Sequence, residues 1–454
     1  MNIKYNSKKI QKGDTFIALK TNNDCHKYIE DAIKNGATKI IAEHGNYPVE
    51  TLIVENTKDY LVKYLHDNYY KEIESLTLIG VTGTNGKTTT CMLIHNMLNK
   101  LGRKTAYIGT NGFYINKFIK ELPNTTPEII DIYDLLIEAK KEGCEFVCLE
   151  ASSHGLDQNR LAGLKFDYAI FTNLTHEHLG YHKTMENYAL AKQKLFKMLR
   201  NNKYAIINND DIYKDYFINS DNTNITYSFN KGDYYVKEYE ITPLNSRFTI
   251  INNNKEFTFT TKLLGKHNIY NSLTSIIVLN KIGYTFEEIN KILNIVNGPV
   301  GRMENIHYKN NNIIIDYAHT PDGVENVLKT AKELHPNKII TVIGCGGGTG
   351  SDREKRSEMG NLVLSLSDKV IFTNDNPRDE DPNQIINDLL KNKASDNYII
   401  ELDRETAIEK GIKLLTSHDI LLILGKGHEN YQIIGTTKTH FSDKETVERI
   451  IEEK

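Results

Sequence analysis

The sequence predicts an α/β protein whose sheets are mostly parallel and whose helices lie between the strands. Two observations predict this class. Short apolar runs rich in β-branched residues alternate with segments of helical periodicity along the chain, and this alternation is typical of βαβ units. The 454 residues are also enough for about three domains. We expect these domains at residues 1–75, 76–300 and 301–454.

Eight short apolar runs are the expected strands. In chain order they are Leu76–Val81, Phe146–Leu149, Tyr168–Phe171, Tyr204–Ile207, Ile313–Ile315, Ile339–Ile343, Val370–Phe372 and Ile420–Leu424. Two stretches mark the expected domain boundaries. One is NYYKEIES at residues 68–75, and the other is VNGPVGRME at residues 296–304, where glycines and a proline interrupt the helical pattern of FEEINKILNIV.

Composition and charge limit the classes of partner. The net charge is −3, with 39% apolar and 25% charged residues. This is ordinary for a soluble globular protein and gives no reason to expect nucleic acid or an anionic membrane as a partner. The N-terminal MNIKYNSKKI lacks the apolar core of a signal peptide, and no apolar run approaches the roughly 20 residues that span a bilayer. The five cysteines form no CxxC pair, so we expect a cytoplasmic protein.

A glycine-rich loop, LIGVTGTNGKTTTC, joins the first of these strands to an expected helix that begins near Thr88. Gly83 and Gly86 allow positive φ angles and let backbone amides approach an anion. Lys87 supplies a cation for the β- and γ-phosphates of a nucleotide, and the Thr88 hydroxyl suits Mg²⁺. The first glycine of the phosphate-binding pattern stands one place early, at Gly80, so the loop is a variant P-loop. The alternative is a glycine-rich turn with a surface lysine.

Three residues further along are candidates for metal binding. Glu150 ends an expected buried strand, where α/β folds collect ligands, although a capped strand end would also explain it. His178, in NLTHEHLGYH, is a plausible second ligand. Lys192 lies in the helical run ENYALAKQKLF, and by itself it is typical of a solvent-exposed surface lysine.

Ten motifs occur in the same order as in a known family. They are GVTGTNGKTTT, NTTPE, EASSHGLDQNR, NLTHEHLGYH, AKQKLF, LLGKHNIYN, GRME, DYAHTPD, DNPRDEDP and LGKGHENYQ, spread over residues 80–445. By these motifs the chain resembles the Mur ligases, which extend the stem peptide of peptidoglycan. The resemblance implies a small α/β N-domain for the UDP-sugar, a central P-loop ATPase domain with a mostly parallel sheet, and a Rossmann-like C-terminal domain for the amino acid.

The resemblance also implies a reaction and its components. ATP, with Mg²⁺, would phosphorylate the D-glutamate carboxylate of UDP-MurNAc-L-Ala-D-Glu, and the amine of the incoming amino acid would attack the acyl phosphate. DNPRDEDP is the pattern of family members that add meso-diaminopimelate, and the chemistry agrees. Diaminopimelate carries a far-end carboxylate that Arg378 can bind bidentately, whereas the lone far-end ammonium of L-lysine would be repelled. Without the family, DNPRDEDP is equally typical of a turn. The expected oligomeric state is a monomer.

The resemblance implies roles for individual residues. The catalytic residues would be Lys87, Lys192, His178 and Glu150, and the metal ligands would be Thr88, Glu150, His178 and a carbamylated Lys192. ATP would be bound by Gly83, Thr84, Asn85, Gly86, Lys87, Thr88, Thr89, His267, Asn268, Asn271, Arg302, Asp316, Tyr317 and His319. The UDP-substrate would be bound by Ser7, Thr125, Thr126, Ser152, Gln158 and Arg160. The amino acid would be bound by Arg353, Asp375, Asn376, Arg378, Gly425 and Glu429.

The chain departs from the family pattern mainly in its first domain. Asn6, Ser7 and Lys8 replace Asp-Ser-Arg, Thr21 and Cys25 replace two glycines, and Gly180 replaces an aspartate after the metal histidine. The loop GCGGGTGSDREKR also differs in length on both sides of Asp352, and Arg353 is the best match to a second arginine for diaminopimelate. These departures leave two alternatives: a related ATP-dependent ligase with another acyl acceptor or with L-lysine, and a nucleotide-binding protein that has lost catalysis.

Overall fold

The computed structural model describes residues 2–20, 24–218, 220–348, 351–391, 393 and 395–453, although not the side chains of Ser351 and Asp352. Within these residues the strands form four sheets, of four, eleven, six and two strands. All eight predicted strands are strands in the structure, and the predicted α/β class with mostly parallel sheets is confirmed. The departure noted at Thr21 lies outside the described residues.

The N-terminal sheet is small and parallel throughout. Its strands, in both chain and spatial order, are β1 (Ile3–Lys4), β2 (Thr15–Ile17), β3 (Lys39–Ala42) and β4 (Glu50–Ile53). The helices of this part are α1 (Ile29–Lys34), α2 (Thr57–Leu65) and α3 (Lys71–Ile73), with 3₁₀ turns at Ser7–Lys9 and Cys25–Tyr28 and a π turn at His66–Tyr70. The first expected boundary is therefore largely helical, and its position stays a prediction.

The central part contains the largest sheet. Its strands are β5 (Thr77–Thr82), β6 (Thr105–Gly109), β7 (Gly112–Ile115), β8 (Lys117–Lys120), β9 (Phe146–Glu150), β10 (Phe166–Phe171), β11 (Leu199–Asn208), β12 (Thr223–Ser228), β13 (Tyr234–Ile241), β14 (Ser246–Asn252) and β15 (Lys255–Thr261). Its helices are α4 (Lys87–Lys100), α5 (Ile129–Lys141), α6 (Ser153–Asp157), α7 (Leu179–His182), α8 (Met185–Lys197), α9 (Lys266–Ile282) and α10 (Phe286–Leu293), with a 3₁₀ turn at Lys214–Phe217.

The topology of this sheet brings loops from distant parts of the chain to one edge. The spatial order is β15-β14-β13-β12-β11-β10-β5-β9-β6-β7-β8, and β5 pairs in parallel with both β9 and β10. These three central strands are almost entirely buried, as expected for parallel strands covered by helices on both faces. Their carboxyl ends therefore lie side by side, and the loops that follow them meet there.

The C-terminal part also contains a mostly parallel sheet, with fewer strands. Its strands are β16 (Glu304–Tyr308), β17 (Asn311–Asp316), β18 (Ile339–Ile343), β19 (Lys369–Phe372), β20 (Tyr398–Ile400), β21 (Ile420–Leu424), β22 (Tyr431–Ile434) and β23 (Thr437–His440). Its helices are α11 (Pro321–Glu333), α12 (Ser351–Leu366), α13 (Pro382–Leu389), α14 (Arg404–Leu414) and α15 (Asp443–Glu452). The six-stranded sheet has the order β16-β17-β21-β18-β19-β20, with only β16 antiparallel, and β22 and β23 form a hairpin.

Apolar side chains fill both faces of the two large sheets. Ile17 and Ile41 of the N-terminal sheet belong to the same buried cluster as Ile130 and Leu136 of α5, so the first two parts share a core. None of the described helices is both long and apolar enough to cross a lipid bilayer.

Candidate active site

The loop between β5 and α4 forms a cradle of backbone amides. Gly83 has φ +146° and Gly86 has φ +87°, which L side chains rarely adopt. A Cβ at Gly83 would overlap the Thr172 hydroxyl, and a Cβ at Gly86 would lie 2.5 Å from Asn271 Oδ1. Glycine is therefore required at both positions. Since α4 begins at Lys87, the amides of its first turn point into the cradle with the positive end of the helix dipole.

The end of the neighbouring strand β10 holds this loop in place. The Thr172 hydroxyl donates to Asn85 O over 2.6 Å, and Asn85 N–H donates to Asn173 Oδ1 over 2.9 Å. Lys87 Nζ donates to the carbonyls of Gly83 (2.9 Å) and Thr84 (2.7 Å), and burial lowers the pKa of Lys87. The loop is thus fixed by side chains that follow a strand, and it carries a half-buried lysine.

Glu150, the last residue of β9, is fully buried beside the cradle. Its Oε2 accepts from the hydroxyls of Thr88 (3.0 Å) and Thr110 (3.1 Å), and its Oε1 accepts from Thr110 N–H (3.0 Å) and from the Tyr107 hydroxyl (2.5 Å). A carboxylate next to two hydroxyls offers the oxygen ligands that Mg²⁺ prefers. Within the described ranges, no three His, Cys, Asp or Glu side chains are grouped closely enough to hold a metal by themselves.

Three imidazoles cluster in and just before the short helices α6 and α7. His178 adopts φ +57°, and its ring lies 4.9 Å from the ring of His154, which lies 5.5 Å from that of His182. Partial burial lowers the pKa of His178 to about 4, so its ring is neutral at pH 7 and keeps a lone pair for a ligand. His182 Nε2 is buried without a hydrogen-bond partner in the structure.

Lys192 is buried in α8, with only 1% of its surface exposed. Its Nζ donates to Gly83 O over 2.7 Å and lies 4.4 Å from the centre of the Tyr188 ring. Burial, reinforced by the positive charge of Lys87, lowers the pKa of Lys192 well below its usual value. The surface lysine that the isolated helical pattern indicated is therefore wrong. The helix turns this side chain inward, which a pattern of one lysine among alanines does not reveal.

A cavity of about 680 Å³ separates the phosphate-binding loop from the C-terminal sheet. Of the residues that the resemblance assigns to ATP, all but Gly83 line it: Thr84, Asn85, Gly86, Lys87, Thr88, Thr89, His267, Asn268, Asn271, Arg302, Asp316, Tyr317 and His319. Glu150, His178 and Thr125 line it as well. Residues from both large sheets therefore surround one space.

Asp322, which the sequence reasoning missed, joins the two sides of this cavity. Its Oδ2 accepts from Asn85 Nδ2 over 2.6 Å, and it lies in the first turn of α11, which Thr320 caps by accepting from Gly323 N–H over 3.2 Å. The motif DYAHTPD contains the signal, because a threonine followed by a proline is typical of a helix start, and Asp322 is then an acidic residue in the first turn.

Five of the six residues assigned to the UDP-substrate lie near Glu150. Thr125 Oγ1 lies 3.0 Å from Thr110 Oγ1, and Thr126 Oγ1 donates to Glu150 O over 2.7 Å and accepts from Ser152 N–H over 3.0 Å. Arg160 donates to Thr126 O (2.8 Å) and to Gln158 Oε1 (2.7 Å), and it pairs with Glu128 at 3.0 Å.

Ser7 does not join this group. It is buried in the N-terminal part, where its carbonyl accepts from Asn35 Nδ2 over 3.0 Å. Nearby, the Tyr5 hydroxyl donates to Asp131 of α5 over 2.7 Å. The first part of the chain therefore adjoins the region of Arg160 without a direct contact between Ser7 and the other five residues.

A second polar cluster lies at the carboxyl ends of β19 and β21. Asn376 Nδ2 donates to Glu429 Oε2 over 2.8 Å, and a Cβ at Gly425 would lie 2.7 Å from Asp375 Oδ2. Arg378 Nη1 donates to Gly347 O over 3.2 Å. The cluster thus contains five of the six residues of the expected amino-acid site: Asp375, Asn376, Arg378, Gly425 and Glu429. Arg353 is half exposed and pairs with Asp388 of α13 at 2.8 Å, so no direct contact joins it to the cluster.

Lys426, which the sequence reasoning also missed, lies at the centre of this cluster. It is fully buried, and its Nζ lies 3.5 Å from Asp375 Oδ1, 3.3 Å from Glu429 Oε2 and 3.3 Å from Asn376 Oδ1. Burial and the negative charge of Asp375 raise the pKa of Glu429, and Lys426 opposes that rise. The signal was its place two residues past a buried strand, in LGKGHENYQ.

Comparisons with known proteins agree with this geometry. The family model described as Mur ligase middle domain matches residues 81–279, and the one described as Mur ligase, glutamate ligase domain matches residues 301–427. A protein of Aquifex aeolicus (strain VF5) named UDP-N-acetylmuramoyl-L-alanyl-D-glutamate–2,6-diaminopimelate ligase is 41% identical, covering 99% of this chain and 93% of its own. A protein of the same name from Clostridium perfringens (strain 13 / Type A) is 39% identical, covering 100% and 95%.

Solved structures give the same picture. A structure of a UDP-N-acetylmuramoyl-L-alanyl-D-glutamate–2,6-diaminopimelate ligase is 32% identical, with a TM-score of 0.72, covering 99% of this chain and 94% of that one. A MurF ligase from Thermotoga maritima, solved in complex with ADP, is 22% identical, with a TM-score of 0.69, covering 99% and 97%. The second likeness shows the shared fold alone.

Proposed function

This chain belongs to the Mur ligase family, and we propose that it joins meso-diaminopimelate to UDP-N-acetylmuramoyl-L-alanyl-D-glutamate in peptidoglycan synthesis. ATP is consumed, and ADP and phosphate are released. The observation that carries the proposal is the single cavity lined by the phosphate-binding loop on one side and by Asp316, Tyr317 and His319 on the other. Relatives with this activity in their names align over nearly the whole chain.

The reaction proceeds by activating a carboxylate. The D-glutamate side-chain carboxylate of the UDP-linked dipeptide takes the terminal phosphoryl group of ATP and becomes an acyl phosphate. The amine of diaminopimelate then attacks the acyl carbon, phosphate leaves, the amine loses a proton, and an amide remains. The amide cradle, the Lys87 ammonium and the first turn of α4 stabilise negative charge that develops on the phosphoryl oxygens.

The residues around the cradle fit ATP and Mg²⁺. Glycine is required at Gly83 and Gly86, as in a loop that a phosphate approaches closely. Thr88, Glu150 and His178, with carbamylated Lys192, would hold Mg²⁺, which neutralises phosphate charge when it is bound. Without it, Glu150 is held by Thr88, Tyr107 and Thr110 in a position facing the loop.

Lys192 is suited to carbamylation. A neutral amine adds to CO₂ and loses a proton, which leaves an anionic carbamate on a long side chain. Burial and the charge of Lys87 favour the neutral amine. The resulting carbamate beside Gly83 supplies oxygen ligands at a position where the unmodified side chain supplies only hydrogen-bond donors.

The two substrates bind beside this cavity, to whose lining only Thr125 of their proposed binding residues contributes. Thr125, Thr126, Ser152, Gln158 and Arg160 form the binding surface for the UDP-linked dipeptide, and Arg160 presents a planar fork for a carboxylate or phosphate. The residues that bind diaminopimelate are Asp375, Asn376, Arg378, Gly425 and Glu429, with Arg353 further away. Arg378 binds the far-end carboxylate, and Glu429 accepts from the ammonium beside it.

We place the reaction in the cytoplasm, with the chain acting as a monomer. ATP and UDP-linked precursors are available there, and the four buried cysteines Cys91, Cys144, Cys148 and Cys345 are in thiol form, which agrees with a reducing compartment.

The direct test is phosphate release from ATP–Mg²⁺ in the presence of UDP-MurNAc-L-Ala-D-Glu. We expect release to require an added amino acid and to occur with meso-diaminopimelate but not with L-lysine, because lysine lacks the far-end carboxylate. Phosphate release with L-lysine and not with diaminopimelate would support a ligase activity but contradict the proposed selectivity for diaminopimelate. If no phosphate is released with either amino acid, the proposed acyl acceptor is contradicted.

Asp322 provides a test of how the cavity closes. Replacing Asp322 with alanine should raise the KM for ATP by about tenfold, because a hydrogen bond to a charged group is worth about 1.5 kcal/mol or more and this one joins the C-terminal part to the phosphate-binding loop. The KM for diaminopimelate should change little. Initial rates at varied ATP concentration measure the effect.

The matched control is Lys332→Gln on the same helix, at an exposed position that does not line the cavity, and it should leave the KM for ATP unchanged. An unaltered KM for ATP in Asp322→Ala would show that the Asn85–Asp322 contact does not support nucleotide binding.

A further inference from the structure

We propose that Arg404 is a positioning residue for the amino-acid site, and that it fixes the distance between the two segments that bind the acceptor. This inference rests on the proposed function, because it concerns how that site is assembled. Arg404 is the first residue of α14 and is fully buried. It lies outside every motif that the sequence singled out.

Four hydrogen bonds define the position of the Arg404 guanidinium. Nη1 donates to Asn374 O over 3.2 Å, and Nη2 donates to Leu424 O over 3.1 Å. Nε and Nη2 also donate to the two carboxylate oxygens of Asp443 over 2.7 and 2.8 Å. One planar group therefore connects three separate segments of the C-terminal part.

The two carbonyls are at informative places in the chain. Asn374 immediately precedes Asp375 and Asn376, and Leu424 immediately precedes Gly425 and the segment that leads to Glu429. Arg404 therefore holds each carbonyl directly before a segment that binds the amino acid. A shift of either carbonyl moves the side chains that follow it.

Sheet pairing alone does not fix the spacing of these segments. β19 and β21 are not hydrogen-bonded to each other, because β18 lies between them. β18 is followed by Gly344, where a Cβ would lie 2.7 Å from Thr373 O, and a Cβ at Gly425 would lie 3.0 Å from Gly344 O. The two segments thus lie close to each other across Gly344, which has no side chain, and Arg404 hydrogen-bonds to both of them.

Asp443 orients the fork. It begins α15, is fully buried, and accepts from Nε and Nη2 along one edge of the guanidinium, which leaves the remaining N–H groups for the two carbonyls. A buried ion pair is in itself weak evidence for stability. The pair is explained more directly by its geometry, since a planar fork can reach several acceptors in fixed directions whereas an ammonium cannot.

The charge of Arg404 also acts on the site. Burial opposes the charge of Arg404, but the Asp443 carboxylate, with smaller contributions from Asp375 and Glu429, raises the pKa of Arg404, so the guanidinium is charged beside the cluster. Together with Lys426 it lies behind the acidic side of the cluster. Removing it would disturb both the spacing and the charge of the residues that meet the amino acid.

The test separates the KM for the acceptor from the KM for ATP. Arg404→Lys keeps the charge and loses the fork, and we expect the KM for the amino acid that the wild-type chain uses to rise at least about tenfold, as small misplacements of binding groups cost up to about 10²-fold. The KM for ATP should change less than about twofold. A role confined to stability would lower the melting temperature and the active fraction without separating the two constants.

A second variant covers the case in which Arg404→Lys does not fold. Asp443→Asn removes the carboxylate that orients the guanidinium and should raise the KM for the amino acid about threefold, again without an effect on ATP. The matched control is Arg449→Gln, which breaks an exposed pair between the same helices, α14 and α15, at Glu405 and should leave both constants unchanged.

The outcomes distinguish this inference from the function on which it rests. An active wild-type chain together with an unchanged amino-acid KM in the folded variants would overturn the positioning role alone. A wild-type chain that releases phosphate with no amino acid would overturn the proposed function and this inference with it.

Discussion

Replacing Lys192 with alanine should lower amide-bond formation by at least about 10²- to 10³-fold, the range for removing one oxyanion-hole donor from a preorganised catalytic site. Lys192 is buried against Gly83 of the phosphate-binding loop, and no other described lysine of α8 is buried. Its loss therefore removes the only carbamate that this helix can place beside the loop. Coupled measurement of ADP formation at saturating substrates gives the size of the effect.

Chemical rescue identifies the reason for the loss. Formate or acetate should restore part of the activity of Lys192→Ala, because a small carboxylate can occupy the space of the missing carbamate. Lys197→Ala, which changes an exposed lysine at the end of the same helix, is the matched control and should remain fully active. Full activity of Lys192→Ala without added carboxylate would exclude the carbamate role.

Replacing Arg378 with alanine should lower kcat/KM for meso-diaminopimelate by the equivalent of about 2–5 kcal/mol, the cost of removing one partner of a charge pair that the bound substrate would bury. Arg378 is exposed in the structure, so its guanidinium is accessible to the substrate. Arg378 already adopts φ +53°, a backbone conformation that alanine shares no more readily than arginine. Its backbone N–H donates to Ile433 O over 3.1 Å, and this bond survives the substitution. The fall in kcat/KM should therefore result from the missing guanidinium and not from a changed loop conformation.

The effect should be selective for the acceptor. The KM for ATP should stay unchanged, and Arg378→Lys should recover only part of the activity because an ammonium cannot bind a carboxylate bidentately. Arg247→Ala, at an exposed position of β14, controls for the loss of one positive charge. If Arg378→Ala impaired the constants for ATP and for diaminopimelate equally, or changed neither, Arg378 would not belong to the acceptor site.

Local patterns were sufficient to predict the secondary structure that frames the site. The eight predicted strands are present, because parallel strands buried on both faces are short, nearly continuous apolar runs. The helix after the glycine-rich loop begins at Lys87, one residue from the predicted start. Glu150 and Asp316 end strands as expected. The carboxyl ends of parallel strands meet at one edge, so the sequence order of these residues already indicated a shared site.

Individual side chains without a strong local pattern were missed or misplaced. Lys192 was typical of a surface lysine until the fold turned it toward Gly83. Lys426 and Asp322 lie within the motifs LGKGHENYQ and DYAHTPD, but only their partners in other segments reveal what they do. Arg353 matches a family pattern, yet its guanidinium pairs with Asp388 rather than contacting Asn376 or Glu429.

By itself, then, the sequence determined the fold class, the strands and the loop that faces phosphates, because these depend on periodicity and on glycine at fixed spacing. The tertiary structure alone decided which charges are buried and which segments touch. Arg404 shows the reason: its partners at Asn374, Leu424 and Asp443 are 20 residues or more away in the chain. Burial and hydrogen bonding at such separations follow from the order of strands in the sheet, and no local pattern encodes that order.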